Sequence, residues 1–262
     1  MDISAELTSA IKMTIKKMVE GKDIAVAFSG GLDSGIVAAI AKEYARSVKL
    51  YTAGLDDAYD VIASKELAEI LGLPWEHILI SKDDLEGSIK EMIEISGTDN
   101  PITLSFEIPL FYVSKNISEK YIIGGQGADE LFAGYSKYIG LSEDDLKDQM
   151  EADMVSLLTD TLSHERSVSE HFGKIIFYPY LDKKVVDVVK MIDMKDLIPG
   201  EVRKENLRKV AEMIGQPEVA AKKKKAAQYG SGAMSLFRKI AKKKGVTINE
   251  LITGIYSDIH RE

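Results

Sequence analysis

Four short β-rich runs, separated by stretches of helical periodicity, constrain this chain more than any other feature. They are DIAVAF (23–28), VKLYTA (48–53), EHILI (76–80) and KYIIG (120–124). Between them, residues 34–46, 60–71, 83–95 and 106–118 carry helical patterns. Strands joined through helices are crossover-connected and therefore parallel, because a hairpin needs only a short turn. The fold predicted is α/β, a doubly wound parallel sheet. Sheets of this kind bind ligands beyond the C-terminal ends of their strands, where strand order reverses. The ends of the first, second and fourth runs are the places to look.

After about residue 140 the pattern turns helical, through LSEDDLKDQMEADMVSLLTDTLSHE, KKVVDVVKMI and EVRKENLRKVAEMI. IIFYPYLD interrupts it, and Pro179 breaks any helix there. We expect one domain over 1–262, with an α/β nucleotide-binding part at 1–140 and a mainly helical part at 141–262 closing the site. The first twenty residues place acids and lysines among apolar positions, so they read as an amphipathic helix and not as a secretory signal. No apolar run reaches the roughly 18 residues of a membrane span. The expectation is a cytoplasmic protein without a membrane partner. A net charge of -8 argues against nucleic acid as a partner, and the lysine runs AKKKKAAQ and AKKKG read as solvated helix faces. His164 and His171, with Glu165 and Glu170 between them, read as a solvent-facing cluster and not a metal site. Trp75 reads as core. The absence of cysteine excludes disulfides, thiolate metal ligands and a cysteine nucleophile in this chain.

The first strand runs into Ser29-Gly30-Gly31-Leu32-Asp33-Ser34, followed by an apolar helix. A strand-turn-helix leaves unpaired amides at the helix N-terminus, where the macrodipole favours anions. Gly30 and Gly31 let the backbone come close to phosphate oxygens, and Ser29 and Ser34 can add hydroxyl donors. Asp33 would repel phosphate unless a cation intervened. Mg²⁺ resolves the conflict, since it takes one or two carboxylates together with phosphate oxygens. Neither GxxxxGK[ST] nor a GxGxxG after a strand occurs, so this is a phosphate loop not built for γ-phosphoryl transfer.

SGGLDS resembles the pyrophosphate-binding loop of the ATP pyrophosphatases, also called the PP-loop superfamily. The resemblance implies an adenine nucleotide alpha hydrolase-like sheet, with the loop from Ser29 to Ser34, Leu32 included, holding the pyrophosphate that leaves ATP. IIGGQGADELFAGYSKY (122–138) again begins at a strand end and adds Asp129, read as the second Mg²⁺ carboxylate. This segment resembles the SGEGSDExFGGY segment of asparagine synthetases. YPYLDKKVVDVV is similar to that family's RxPFLD segment through Pro179, Leu181 and Asp182. RKENLRKVAEMI is similar to its KxxLR helix through Lys204, Leu207 and Arg208, and KKKKAAQYGSG to its RxKxxFxxG tail, which places the family's catalytic lysine at Lys224. The resemblance implies main-chain contacts to adenosine near Phe28, Ala53, Gly124 and Gly125. It also implies that Lys204 and Lys224 neutralise phosphate charge, with ATP and Mg²⁺ as cofactors.

The sequence also departs from that family. Gln126 stands where the family has glutamate, and an amide can orient a partner but cannot act as a base. Ile175 and Phe177 replace a carboxylate and a guanidinium, and Ser105 stands where an arginine is expected, with Glu107 two residues on. The ATP half of the site is kept and the acceptor half is rebuilt. The function implied is an ATP-dependent amide-forming ligase of amino-acid biosynthesis, joining a small carboxylate to ammonia or an amine through an acyl-adenylate. A thiol glutaminase is absent from this sequence, so a separate glutaminase subunit is the source if glutamine donates the nitrogen. A homo-oligomer is compatible with the resemblance. Two alternatives stand beside this reading: a tRNA-thiolating or other PP-loop adenylating enzyme, and an ATP-binding homologue without turnover.

Overall fold

A computed structural model of the protein describes residues 2–199, 202–222 and 230–261. Five strands form one sheet: β1 (Asp23–Ala27), β2 (Ser47–Gly54), β3 (Trp75–Leu79), β4 (Tyr121–Ile123) and β5 (Ile175–Phe177). All neighbours are parallel, in the order β3-β2-β1-β4-β5. The chain moves outward from β1 to β2 and β3, then returns to lay β4 on the other side of β1. The order therefore reverses between β1 and β4, as a doubly wound sheet requires.

The pleat divides the core into two. Ile24, Val26 and Phe28 of the first strand and its exit face one cluster, whereas Ala25 joins Tyr51, Ala53 and Ile122 in the other. On the first face lie α1 (Ile3–Val19), α2 (Leu32–Tyr44) and α3 (Tyr59–Leu71). α1 presents Leu7, Ile11, Ile15 and Val19, a four-residue spacing that makes one fully buried stripe, and Asp2 caps it by accepting from Ser4 and Ala5. The second face is covered by α4 (Leu85–Ser96) and α5 (Pro101–Asn116), and α6 (Ala128–Leu131) follows β4. α5 starts five residues before the predicted 106, because Asn100 caps it through Ile102 and Thr103 and Pro101 takes the first turn, where its missing N–H costs nothing.

The helical half contains α7 (Glu143–Ser156), α8 (Leu162–His171), α9 (Lys183–Val189), α10 (Glu205–Met213), α11 (Pro217–Ala220), α12 (Ala233–Lys244) and α13 (Ile248–Ile259). A π-helical segment at Leu157–Thr161 joins α7 to α8. This half also contributes to the sheet. IIFYPYLD, read only as an interruption, supplies β5, whose Ile175 and Phe177 pair with Tyr121 and Ile123. Three residues are too few to show strand periodicity, so the edge strand exists through pairing and not through local propensity. Trp75, expected in the core, opens the edge strand β3 half-buried and donates its indole N–H to Thr52 Oγ1 at 3.0 Å. Among the described residues no helix is long and apolar enough to cross a membrane.

Candidate active site

β1 ends in a turn whose main chain is tightly specified. The Phe28 N–H donates to the Tyr51 carbonyl at 2.9 Å, and the Phe28 carbonyl accepts from Thr52 Oγ1 at 2.6 Å and Ser64 Oγ at 3.2 Å. Gly30 follows at φ 68°, and a Cβ there would sit 2.5 Å from the backbone of Ala63 and Ser64. Only glycine serves at that point. Gly31 is the N-cap of α2 and makes no side-chain capping bond of its own. The loop thus delivers the positive end of the helix dipole, which favours an anion. Ser29 and Ser34 lie with their hydroxyl oxygens 3.2 Å apart, and Ser34 Oγ accepts the Ser29 N–H at 3.3 Å. They brace the turn against itself. Leu32 is buried and anchors the loop to the core.

Because β4 pairs with β1, its exit loop lies beside the first loop. A Cβ on Gly125 would come within 3.0 Å of Asp33 Cβ, while one on Gly124 would meet nothing within 4 Å among the described residues. The Gly124 N–H is held by the Phe177 carbonyl at 3.2 Å. Ala53 is buried near the end of β2. Gly127, at φ 87°, starts α6 and places Asp129 in its first turn.

Asp33 and Asp129, 96 positions apart by their numbers, meet at one atom. Lys204 Nζ lies 2.5 Å from Asp33 Oδ2 and 2.6 Å from Asp129 Oδ1. Lys204 is 3% exposed and stands immediately before α10 with φ 56°. The helix expected to run from Glu201 therefore begins at Glu205. Burial disfavours the ammonium charge, but Asp33 and then Asp129 outweigh it and hold the lysine pKa above its ordinary value. Gly134, which the sequence reading did not single out, makes this convergence possible. A Cβ on it would lie 1.9 Å from Asp129 Oδ1 and 2.0 Å from Lys204 Cε. Tyr180 donates its hydroxyl to the Asp33 carbonyl at 2.9 Å, tying the YPYLD segment to the first loop.

Lys224 lies outside the described residues. On one side of it, Arg208 donates to the carbonyls of Ala220 and Lys222. On the other, the Ser231 carbonyl accepts the Leu55 N–H at 3.0 Å, just beyond β2.

The donor chemistry fits Mg²⁺. Two carboxylates from adjacent loops already converge on one cationic atom, and hard carboxylate oxygens are the ligands Mg²⁺ takes alongside phosphate. Among the described residues no three His, Cys, Asp or Glu side chains group as a metal site, so an ion at Asp33 and Asp129 would draw further ligands from elsewhere.

A second polar cluster adjoins the β4 loop. Gln126 Nε2 donates to Glu165 Oε1 at 2.8 Å. Glu165 projects from α8 into the interior, and burial pushes its pKa up to about 7. Glu107 of α5 is 3% exposed and is pushed up to about 9 by burial, with the charge of Glu165 adding to the effect. His164 Nδ1 lies 3.1 Å from Glu107 Oε1, and burial lowers the histidine pKa. The expected solvent-facing cluster is thus corrected: His171 and Glu170 are exposed, but Glu165 is buried and His164 turns inward to Glu107. Ser105 is buried and donates to the Ile102 carbonyl at 2.8 Å. Phe177 stacks on Tyr121 with centroids 5.8 Å apart, and Ile175 is exposed on the edge strand, so these two serve the sheet edge.

A family model described as asparagine synthase matches residues 5–142 and 139–245. The chain belongs to the asparagine synthase family. A putative glutamine-hydrolyzing asparagine synthetase 1 of Methanocaldococcus jannaschii is 29% identical over 94% of this chain and 53% of its own length. Asparagine synthetase B of Escherichia coli is 25% identical over 87% of this chain and 45% of its own. The chain thus spans about half the length of the curated relatives it matches. Among solved structures, an NMN synthetase from Francisella tularensis aligns over 96% of this chain and 83% of its own at 13% identity, with a TM-score of 0.45.

Proposed function

We propose that the chain is an ATP-dependent, AMP-forming carbon–nitrogen ligase of the asparagine synthetase type. A carboxylate oxygen attacks the α-phosphorus of ATP, pyrophosphate leaves, and an acyl-adenylate forms. Ammonia or an amine then attacks the acyl carbon, the C–N bond forms, and AMP departs with the C–O electron pair. The observation that carries this reading is the meeting of Asp33, Asp129 and Lys204 at the sheet's switch point.

Each residue has a defined task. The amides from Gly31 to Ser34 hold the pyrophosphate oxygens at the start of α2. Asp33 and Asp129 would hold Mg²⁺, which would neutralise the phosphates. Lys204, which bridges the two aspartates in the structure, would turn its charge to the phosphates once the ion took those oxygens, and Lys224 is proposed as a second cation for the transferring phosphoryl group. The backbone at Gly124, with Gly125 packed against Asp33 beside it and with Phe28 and Ala53, receives adenosine. Gln126 orients Glu165 on the acceptor side. The nitrogen donor is free ammonia, an amine substrate, or ammonia delivered from a glutaminase outside residues 1–262.

Pyrophosphate and AMP released in equal amounts from Mg²⁺-ATP, on addition of one acid from a carboxylate panel, test the reading. Transfer of ¹⁸O from the labelled acid to AMP identifies the adenylate. Asp33→Asn should reduce release by about a thousandfold or more, the scale of losing a major electrostatic group. Full activity in that variant would remove Asp33 from the site.

A further inference from the structure

We propose that Glu107, Glu165 and Gln126 form a subsite for an organic cation, so that one of the two molecules joined by this protein enters with an ammonium or guanidinium group. The inference deepens the proposed ligase function and rests on it for the identity of the bound molecule as a substrate.

The cluster is built from three elements. Gln126 comes from the β4 exit loop, Glu107 from α5 and Glu165 from α8. Gln126 is half-buried and stands one residue from Gly125, which packs on Asp33, so the cluster borders the proposed nucleotide site. The Glu107 side chain is 2% exposed, and among the described residues its Oε2 has no hydrogen-bond partner. A buried carboxylate oxygen in that state is costly unless a donor reaches it. Glu165 lies near enough for its charge to act on Glu107, and Glu130 adds a third acidic group from α6.

Among the described residues, the positive groups around the cluster do not balance it. His164 contacts Glu107, but its burial favours the neutral ring. Arg166 is exposed, with its guanidinium carbon 5.8 Å from the centre of the Tyr178 ring. Asp160 adds further negative charge near His164. Burial holds these two carboxyls back from ionising, and a bound cation is the partner that would favour their charged forms. Among the described residues no three potential metal ligands group together here, and Gln126 commits an N–H donor to Glu165. Separated acceptors of this kind match the several N–H donors of an alkylammonium or a guanidinium better than a compact metal ion.

Ligand-observed NMR on the full chain with a non-hydrolysable ATP analogue and Mg²⁺ tests the subsite without requiring turnover. The probes are 1,4-diaminobutane and agmatine, with 1-butanol and urea as neutral counterparts. The cations should bind and the neutral molecules should not. Affinity should rise about tenfold between about pH 6 and 8, as a carboxyl titrating near neutrality ionises. Glu107→Gln and Glu165→Gln should each weaken cation binding about tenfold or more while leaving nucleotide-analogue binding within about twofold. Stronger binding of diaminobutane selects an ammonium partner, and stronger binding of agmatine a guanidinium one. Equal binding of neutral probes, a pH-independent affinity, or undiminished cation binding in both folded variants would overturn the subsite. The wild-type pH series keeps the test decisive if a variant does not fold. Cation binding without pyrophosphate release would leave the subsite standing and remove the ligase reading; pyrophosphate release without cation binding would do the reverse.

Discussion

Lys204 holds a position that a metal ion would contest. Its ammonium bridges Asp33 and Asp129 from a left-handed backbone conformation that a lysine adopts only at some cost. Replacing it with methionine removes the shared cation and leaves two carboxylates facing each other. The two aspartates keep 23% of their side-chain surface in solvent, so the loss should be below the range for fully buried pairs, at about 2 kcal/mol. Mg²⁺ should then raise the melting temperature of Lys204→Met more than that of the wild type, because the ion no longer competes with an ammonium. An equal or smaller Mg²⁺ shift would show that the two aspartates do not make the metal site. The aspartates themselves were legible, since each follows a glycine-bearing strand exit. Gly134 and the backbone of Lys204 were not. Both depend on a contact between segments about 70 residues apart, and nothing in LFAGY or RKENLRK announces it.

The pairing of α5 with α8 should set the stability of the protein against pH. Glu107 and Glu165 are harder to ionise in the folded protein than in the unfolded chain, so the native state keeps protons that the unfolded state releases. Their contribution is complete below the ordinary value of 4.5 and is lost as pH rises through about 7 for Glu165 and about 9 for Glu107. His164 acts in the opposite direction: its pKa is lowered, and its contribution is lost as pH falls below its ordinary 6.5. Melting temperatures measured from about pH 5 to 9 should decline on the alkaline side, and Glu107→Gln or Glu165→Gln should flatten that decline by on the order of 1–3 kcal/mol. A wild-type slope unchanged in both variants would mean that these carboxyls ionise normally. Helices and the first four strands could be read from periodicity because burial repeats along them. The role of α8 could not: LSHERSVSEH is so polar that a buried glutamate looks like one more exposed charge. Its inward face is fixed by Gln126 and by the packing on α5, both distant in sequence.

At the scale of the molecule, the two halves of the chain are parts of one sheet and one site. β5, from the helical half, extends the sheet beside β4, and α9 and α10 pack on α1. The change near residue 140, drawn within a single expected domain, is therefore one of composition, with the sheet continuing across it. Cutting there would strip β5 from β4, uncover the α1 face, and take Lys204 from Asp33 and Asp129. Ile122 and Ile123, both fully buried, would lie on an open edge. A fragment of residues 1–140 should consequently show poor amide dispersion, bind hydrophobic dye and lack a cooperative melt. The full chain should unfold in one transition, with near- and far-ultraviolet circular dichroism coincident. If instead the full chain melted in two steps, with the first half retaining native dispersion, the halves would be independent folding units. Asp33 and Asp129 would then be brought together before the lysine that bridges them arrived.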